Sequence, residues 1–490
     1  MTTPVVDDGS VGRAGFVARH GLWGDAQHAA HDESRRVIDE HGVDLVRVVF
    51  ADQHGILRGK TLTSETYEQA CRGGYSVPST LVLKDTSGRT VVPVFRPGGA
   101  FGMEQAGNVA DLVLVPDPTT FRMLPWAART AWVLCDIHFT DGTPAPVSTR
   151  QLYRRLLGEL AEHGYEHVVG LEVEFHVFRL EDAHLDPTET TWPGHPPTVS
   201  MLAQGYQLLA DDRLDQLDDV VQLLYRGMHA LNLPVRSFEL ELGPSQVEVT
   251  FAPQQGLRAA DDMMLFRSAV KQLCRRNGLH ATFMCRPAVP NTFASGWHLH
   301  QSLRDRDGRN AFANDDGNEI LSPVGRQVLA GLLAHADAAS VFTTPTVNGY
   351  RRYKPNSLAP DRAVWGVDNK GAMLRVVGLP GDPGTRIENR VGEPAANPYL
   401  YMASQVACAL EGIEQDLAPP PPTESPYDAD APRLPGTLMA ALDALEADDL
   451  FSRRFGSTFM ETYLAIKRAE VERYLGAVTD WEQREYFDIY

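Results

Sequence analysis

Cysteine is scarce in this chain of 490 residues: Cys71, Cys135, Cys274, Cys285 and Cys408 are scattered, odd in number and never spaced as C-x-x-C. That scarcity excludes a disulfide framework and a thiolate zinc site, and it suits the reducing interior of the cytoplasm. Positive charge is also short. Lys and Arg number 45 against 64 Asp and Glu, a formal charge of −19, whereas a nucleic-acid binder carries a basic face. No run approaches the roughly 18 uninterrupted apolar residues of a membrane span, and the opening MTTPVVDDGSVGRAGF has no signal-peptide core. Neither nucleic acid nor membrane is therefore an expected partner. Internal repeats are missing, and the one biased segment, APPPPTESP at 418–426, reads as a stiff surface linker.

What is present describes a folded chain: 43% hydrophobic and 22% charged residues, with length for two or three domains. Residues 1–32 are polar and irregular and read as a tail or first helix. Residues 33–140 alternate β-like runs (DLVRVVFAD, TLVLKD, TVVPVF, TAWVLCDIHF) with Gly-rich turns, which predicts a small sheet domain. After the turn TDGTPAP the pattern changes to long helices between isolated strands, so 141–490 reads as a larger α+β domain on an antiparallel sheet. Ser148 or Thr149 is placed to cap RQLYRRLLGELAEH, Gly278 to close the helix LRAADDMMLFRSAVKQLCRRNG, and ATFMCRP to follow as a strand.

The chemistry lies in a repeated device. In GLEVEFHVF (170–178), Glu172 and Glu174 stand two apart in an apolar strand and so share one face. FELELGPSQVEVTF (238–251) does the same with Glu239 and Glu241, then with Gln246 and Glu248 after a Gly-Pro turn. ASGWHLHQSL (294–303) adds His298 and His300, and TRIENRV adds Arg386, Glu388 and Arg390. One Glu-x-Glu alone is most often the wet face of an antiparallel sheet. Four such strands, otherwise strongly apolar, point instead to an oxygen-rich site with an occasional imidazole, the donor set of Mg²⁺ or Mn²⁺. Cations would also cancel the repulsion between buried carboxylates. Arg351, Arg352, Lys354, Lys370 and Arg375 extend the cationic set. Metals on one side and guanidinium groups on the other are the equipment of phosphoryl transfer. GILRGKT (55–61) imitates a phosphate-binding loop but is one residue short of GxxxxGK[ST], and it reads as a turn.

The ordered motifs GLEVEF, ELGPSQVEV, ATFMCRP, SGWHLHQSL, NGYRRYKP, RIENR and EPAANPYL resemble those of the glutamine synthetase family over nearly the whole chain. The resemblance implies an α+β fold with an N-terminal β-grasp domain and a C-terminal catalytic domain of the glutamine synthetase/guanido-kinase type. It further implies stacked rings, commonly a dodecamer, with each active site between the N-terminal domain of one subunit and the catalytic domain of its neighbour. By the same resemblance Glu174, Glu241 and Glu248 hold one divalent ion and Glu172, His298 and Glu388 another, so two or more ions serve each site. Arg352 falls where the family binds the α-carboxylate of glutamate, with Glu174, Ala294, His298 and Arg390 around that substrate. Arg375 and Arg386 match arginines that contact the phosphates of ATP, and His300 and Ser302 lie beside the nucleotide. Arg352, Arg375 and Arg390 are the implied catalytic cations. The implied reaction phosphorylates the γ-carboxylate of glutamate with ATP and then displaces phosphate with an amine.

Departures from the family pattern narrow that implication. Leu358, in YRRYKPNSLAP, stands where glutamine synthetases carry a flap glutamate, and Val77 and Pro78 stand near the position of an ammonium-binding aspartate. Bringing ammonium into such a pocket without a carboxylate is costly. An apolar acceptor pocket of Val77, Pro78, Leu358 and Trp365, with Tyr75 as a further wall, suits an arylamine such as aniline or a small alkylamine. A polyamine or ethanolamine is the alternative substrate. A catalytically silent oligomer and a phosphagen-kinase-like phosphotransferase are the readings of another class. Against them stand the complete ligand set in the first case and the β-grasp and NPYL segments in the second. Phe293 and Ala294 stand where the family has an Asn-Gly pair lining the glutamate site, which leaves a close glutamate analogue as an alternative substrate; Lys370 replaces an arginine and loses its bidentate fork, and Tyr427 lacks the flanks of an adenylylation site.

Overall fold

The computed structural model describes residues 15–95, 103, 109–182, 185–314, 319–354 and 358–490. Residues 1–14 of the N-terminal tail, and Pro355, Asn356 and Ser357 of the flap segment, lie outside them. Two sheets carry the chain. The first contains β1 (Leu45–Ala51), β2 (Leu57–Thr63), β3 (Tyr75–Pro78), β4 (Asp111–Pro116), β5 (Arg122–Met123) and β6 (Thr130–His138), in the order β2-β1-β6-β4-β3 with β5 on β6. β1 and β6 run parallel and the other pairs antiparallel. Val46, Val48, Leu114, Val133 and Ile137 fill the core beneath this sheet with Tyr67 of the helix Ser64–Gly73.

The second sheet holds β7 (Glu166–Leu180), β8 (Val199–Ser200), β9 (Val235–Leu240), β10 (Gln246–Phe251), β11 (Gln254–Gln255), β12 (Leu279–Thr282), β13 (Trp297–Arg304), β14 (Trp365–Val367), β15 (Leu374–Val377) and β16 (Arg386–Asn389). Its central path is β14-β15-β16-β13-β7-β10-β9. One face packs on the helices Thr149–Glu162, Gly256–Arg276 and Pro398–Glu414. Val169, Leu171, Val173, Phe175 and Val177 of β7 point there, while the alternate residues of β7 face the other way. Ser148 accepts a hydrogen bond from the Gln151 amide and caps its helix, as expected of that hydroxyl. Gly278, in the left-handed region at φ 70°, lies just past the end of the helix Gly256–Arg276.

Three expectations need correction. TLVLKD is not a strand: Ser79–Leu83 forms a 3-10 turn after Pro78, whose missing N–H ends β3, and Val82 and Leu83 drop into the small core. TVVPVF contributes only the isolated bridge Lys84–Thr90. Of ATFMCRP only Ala281 and Thr282 belong to a strand, the end of β12, which leaves β7 at Thr282–His176, and the rest is loop. The helix Asp25–His41 also runs across the 32/33 division. The proline segment is stapled to β14, with Trp365 Nε1 donating to Pro420 O at 2.7 Å and the Thr423 amide to Trp365 O at 2.9 Å.

Polar joints couple the two sheets. Arg150 ion-pairs with Asp117 (2.8 Å), Asp136 (2.9 Å) and Asp261 (2.8 Å), all out of reach of bulk water or nearly so. Arg267 donates to Gly55 O at 3.0 Å and to Ala396 O at 2.7 Å, and Asn397 Nδ2 donates to Asp52 O at 2.9 Å.

Candidate active site

Register brings the polar faces together. Across β7, Glu172 stands opposite His298 of β13 and Glu174 opposite Glu248 of β10. His300 of β13 stands opposite Glu388 of β16, which in turn stands opposite Arg375 of β15. Directly paired residues on one face have Cβ atoms about 4.5–5.5 Å apart, so two-residue spacing within strands becomes a two-dimensional cluster. Glu241, one residue past β9, completes it.

Three groups place one ligand atom from each member within 4.8 Å of the others: Glu174, Glu241 and Glu248; Glu172, Glu248 and His298; and Glu172, His300 and Glu388. The first is the set implied for one ion. The second implied set, Glu172, His298 and Glu388, is also gathered, with His298 Nδ1 at 2.7 Å from Glu172 and 3.7 Å from Glu388. His300 joins it, as its place in the repeated strand device suggested, although the family resemblance sets that residue beside the nucleotide. Burial, followed by repulsion from Glu241, pushes the Glu174 carboxyl up, and burial with repulsion from Glu172 and Glu174 does the same to Glu248. Burial would raise Glu172 too, but hydrogen bonds from His298 and His300 outweigh it and hold that carboxyl well below the usual range. His298 is held down at about 4 by burial and by Arg390, so it is neutral, with Nδ1–H donating to Glu172 and Nε2 accepting from Arg352. Mutually repelling carboxylates with imidazole nitrogens fit divalent cations, and the donor set is hard.

The arginines ring this cluster. Arg375 donates to Glu388 at 3.0 Å, Arg390 pairs with the other Glu388 oxygen, and Glu388 itself is fully buried. Arg352 donates to Arg390 O at 2.9 Å and lies against Gly296, where a Cβ would stand 2.5 Å from its Nη2. Arg386 donates to His300 Nδ1 at 3.1 Å. A cleft of ≈ 880 Å³ is lined by Glu172, His300, Ser302, Arg375 and Arg386, so the four side chains expected at the nucleotide border the same cleft. Arg351 points away, to Tyr474 OH at 2.7 Å.

One support carried no sequence signal, Asp368, which accepts from Arg375 Nε at 3.0 Å; a second, Gln246, donates to Glu174 at 3.1 Å. Gln246 was legible as facing Glu248 but not as the partner of Glu174. The side chains expected to line the amine pocket lie in different parts of the chain. Val77 is buried in the core of the small sheet and Trp365 in that of the large one, Pro78 is half-buried, and of the four only Leu358 is exposed, at 60%. Apolar residue type foretells burial without saying in which core.

The family model for the glutamine synthetase catalytic domain matches residues 146–486. The chain belongs to the glutamine synthetase family. It is 45% identical over 494 aligned residues to a gamma-glutamylanilide synthase of Acinetobacter sp, with 97% of this chain and 99% of that one covered. It is 33% identical to gamma-glutamylethanolamide synthetase GlnA4 of Streptomyces coelicolor, with 93% and 95% covered. The solved structure of apo GmaS without ligand superimposes with a TM-score of 0.77 at 27% identity, covering 92% of this chain and 98% of that one. As a glutamine synthetase-family ligase, the chain uses ATP and a divalent metal, and the carboxylate cluster beside the arginine-lined cleft suits both. Among the described residues no helix is long and apolar enough to cross a membrane.

Proposed function

We propose that this ligase joins the γ-carboxylate of glutamate to an organic amine, with an arylamine such as aniline preferred and small alkylamines next. The carrying observation is the flap: its site-facing family glutamate is replaced by exposed, apolar Leu358 in a chain 45% identical to a gamma-glutamylanilide synthase. In the first step a γ-carboxylate oxygen of glutamate attacks the terminal phosphorus of ATP and ADP leaves. In the second the amine nitrogen attacks the γ-carbonyl carbon, the C–O bond to phosphate breaks with its electron pair, and the nitrogen loses a proton. An arylamine is already neutral at neutral pH, so no carboxylate is required to hold or deprotonate an ammonium ion.

Glu174, Glu241 and Glu248 would hold one divalent ion, Mg²⁺ or Mn²⁺, and Glu172, His298 and Glu388, with His300 adjoining, a second. Ions bound there would supply neutralisation of the charge on the transferring phosphoryl group. Arg375 and Arg386, with His300 and Ser302, bind and orient the phosphates along the cleft. Arg352 holds the α-carboxylate of glutamate beside Gly296 and Ala294, and Arg390, positioned by Glu388, faces the γ-carboxylate. Two stacked six-membered rings are the proposed assembly, in which a neighbouring small domain closes each site. A phosphate-release assay with ATP, Mg²⁺ and glutamate across ammonium, methylamine, isopropylamine, aniline, ethanolamine and putrescine tests the reading, with mass spectrometry of the γ-glutamyl product. Turnover with organic amines and little with ammonium is expected; strong ammonium turnover would overturn it.

A further inference from the structure

β13 and the loop leading into it pass through the parts of the site in order. Ser302 and His300 border the nucleotide cleft, His298 enters the carboxylate cluster, and Gly296 meets Arg352. Ser295 Oγ lies 3.3 Å from His176 Nδ1, six residues along β7 from Gly170 of the cleft wall, or about 20 Å of extended strand. The next residues outward reach the side of the cluster remote from the nucleotide. The amine nitrogen attacks the γ-carbonyl carbon from outside the plane of the acyl phosphate while the nucleotide fills the cleft, which leaves this side of the cluster for its entry.

An apolar patch waits there. Phe293 is 40% exposed and stands edge-on to Tyr206, at 51%, with ring centroids 5.7 Å apart and planes at 73°. Leu242, 36% exposed, adjoins them, and its amide donates to Glu241 Oε2 at 3.1 Å. The patch therefore begins one residue from a ligand-capable carboxylate. Its loops are tied together: the Tyr206 amide donates to Leu242 O at 2.7 Å, Tyr206 OH to Asn291 O at 3.2 Å, and the Leu202 amide to Ser245 Oγ at 2.7 Å. Tyr206 and Asn291 are both held in the left-handed region, at φ 70° and 67°. Asparagine adopts that conformation readily, but a tyrosine persists there only where its surroundings over-determine the backbone. A rigid aromatic edge beside the acceptor side of the site is suited to a ring or alkyl body and offers nothing to an ammonium ion's hydrogen bonds.

The geometry points to Phe293, braced by Tyr206 and Leu242, as the specificity-determining wall against which the hydrocarbon part of the amine lies. This rests on the amine-ligase reading above and replaces Val77 and Trp365 as the acceptor wall. The test compares kcat/KM for aniline and methylamine in the assembled full-length enzyme and in Phe293→Ala and Phe293→Tyr. The aniline-to-methylamine ratio is expected to fall at least about tenfold in Phe293→Ala, the scale of a lost ring contact, and to be retained in Phe293→Tyr. A ratio that does not move in Phe293→Ala, or a rise confined to the KM for glutamate, overturns the assignment while leaving the amine-ligase reading intact. Wild-type enzyme inactive with every organic amine would sink both. Leu242→Ala, on a separate loop, gives the same readout should Phe293→Ala fail to fold.

Discussion

At the scale of single residues, the chemistry turns on which charges are present and which are missing. Leu358 is the missing one. Its replacement by glutamate puts a carboxylate on the flap, and Leu358→Glu is expected to raise kcat/KM for ammonium about tenfold or more, the scale of one charge-assisted contact. Phosphate release with ammonium measures it, and an unchanged value would remove the flap from the account of specificity. Glu393 shows a charge held back. It is buried, accepts from the Thr346 amide at 2.7 Å and Thr346 Oγ1 at 2.8 Å, and is pushed up to about 7, chiefly by burial. Because its folded value lies above the ordinary 4.5, the stability it contributes is fully present in acid and is lost as pH rises through about 7. Glu393→Gln is expected to flatten the decline of Tm between about pH 4.5 and pH 7, and an identical decline in both proteins would exclude Glu393 as its source.

At the scale of elements, close backbone approach matters as much as side-chain fit. The helices Pro323–Ala334 and Pro398–Glu414 cross where Gly331 faces Cys408 O and Gly412 faces Gln327 O; an added Cβ would come within 2.0 Å and 2.1 Å of those oxygens. Gly412→Val is expected to prise the pair apart at a cost of about 1–3 kcal/mol, read as a lower denaturation midpoint, and no shift would mean that the helices can slide. The strands were legible where side chains alternate, as in 170–178, because period two is a local property of extended chain. Residues 79–83 were not, since a short apolar run fits a strand or a turn equally well until Pro78 and the small core decide between them.

At the scale of the whole molecule, Arg150 is the joint. It compensates Asp117 and Asp136 of the first sheet's side and Asp261 of the helix beneath the second. Burial alone would raise Asp136, yet Arg150 and Arg154 hold it down at about 2. Arg150→Met leaves buried carboxylates unpaired, and a loss of about 3–5 kcal/mol is expected, as when one partner of a buried ion pair is removed. Urea unfolding checks this, and two separated transitions would show the sheets uncoupled. A stability equal to wild type would mean that the joint is neutral.

The sequence by itself determined the chemical inventory: carboxylates, imidazoles and guanidinium groups on apolar strands, the family motifs, and the absence of a flap glutamate. These are properties of residue type and of spacing along one strand. Only the tertiary structure decided who meets whom. Glu172 and His298 are 126 residues apart, and their pairing depends on long-range strand register and shared core packing. The same register drew His300 toward the metal cluster, and packing sent Val77 and Trp365 into two separate cores and left Phe293 exposed against Tyr206.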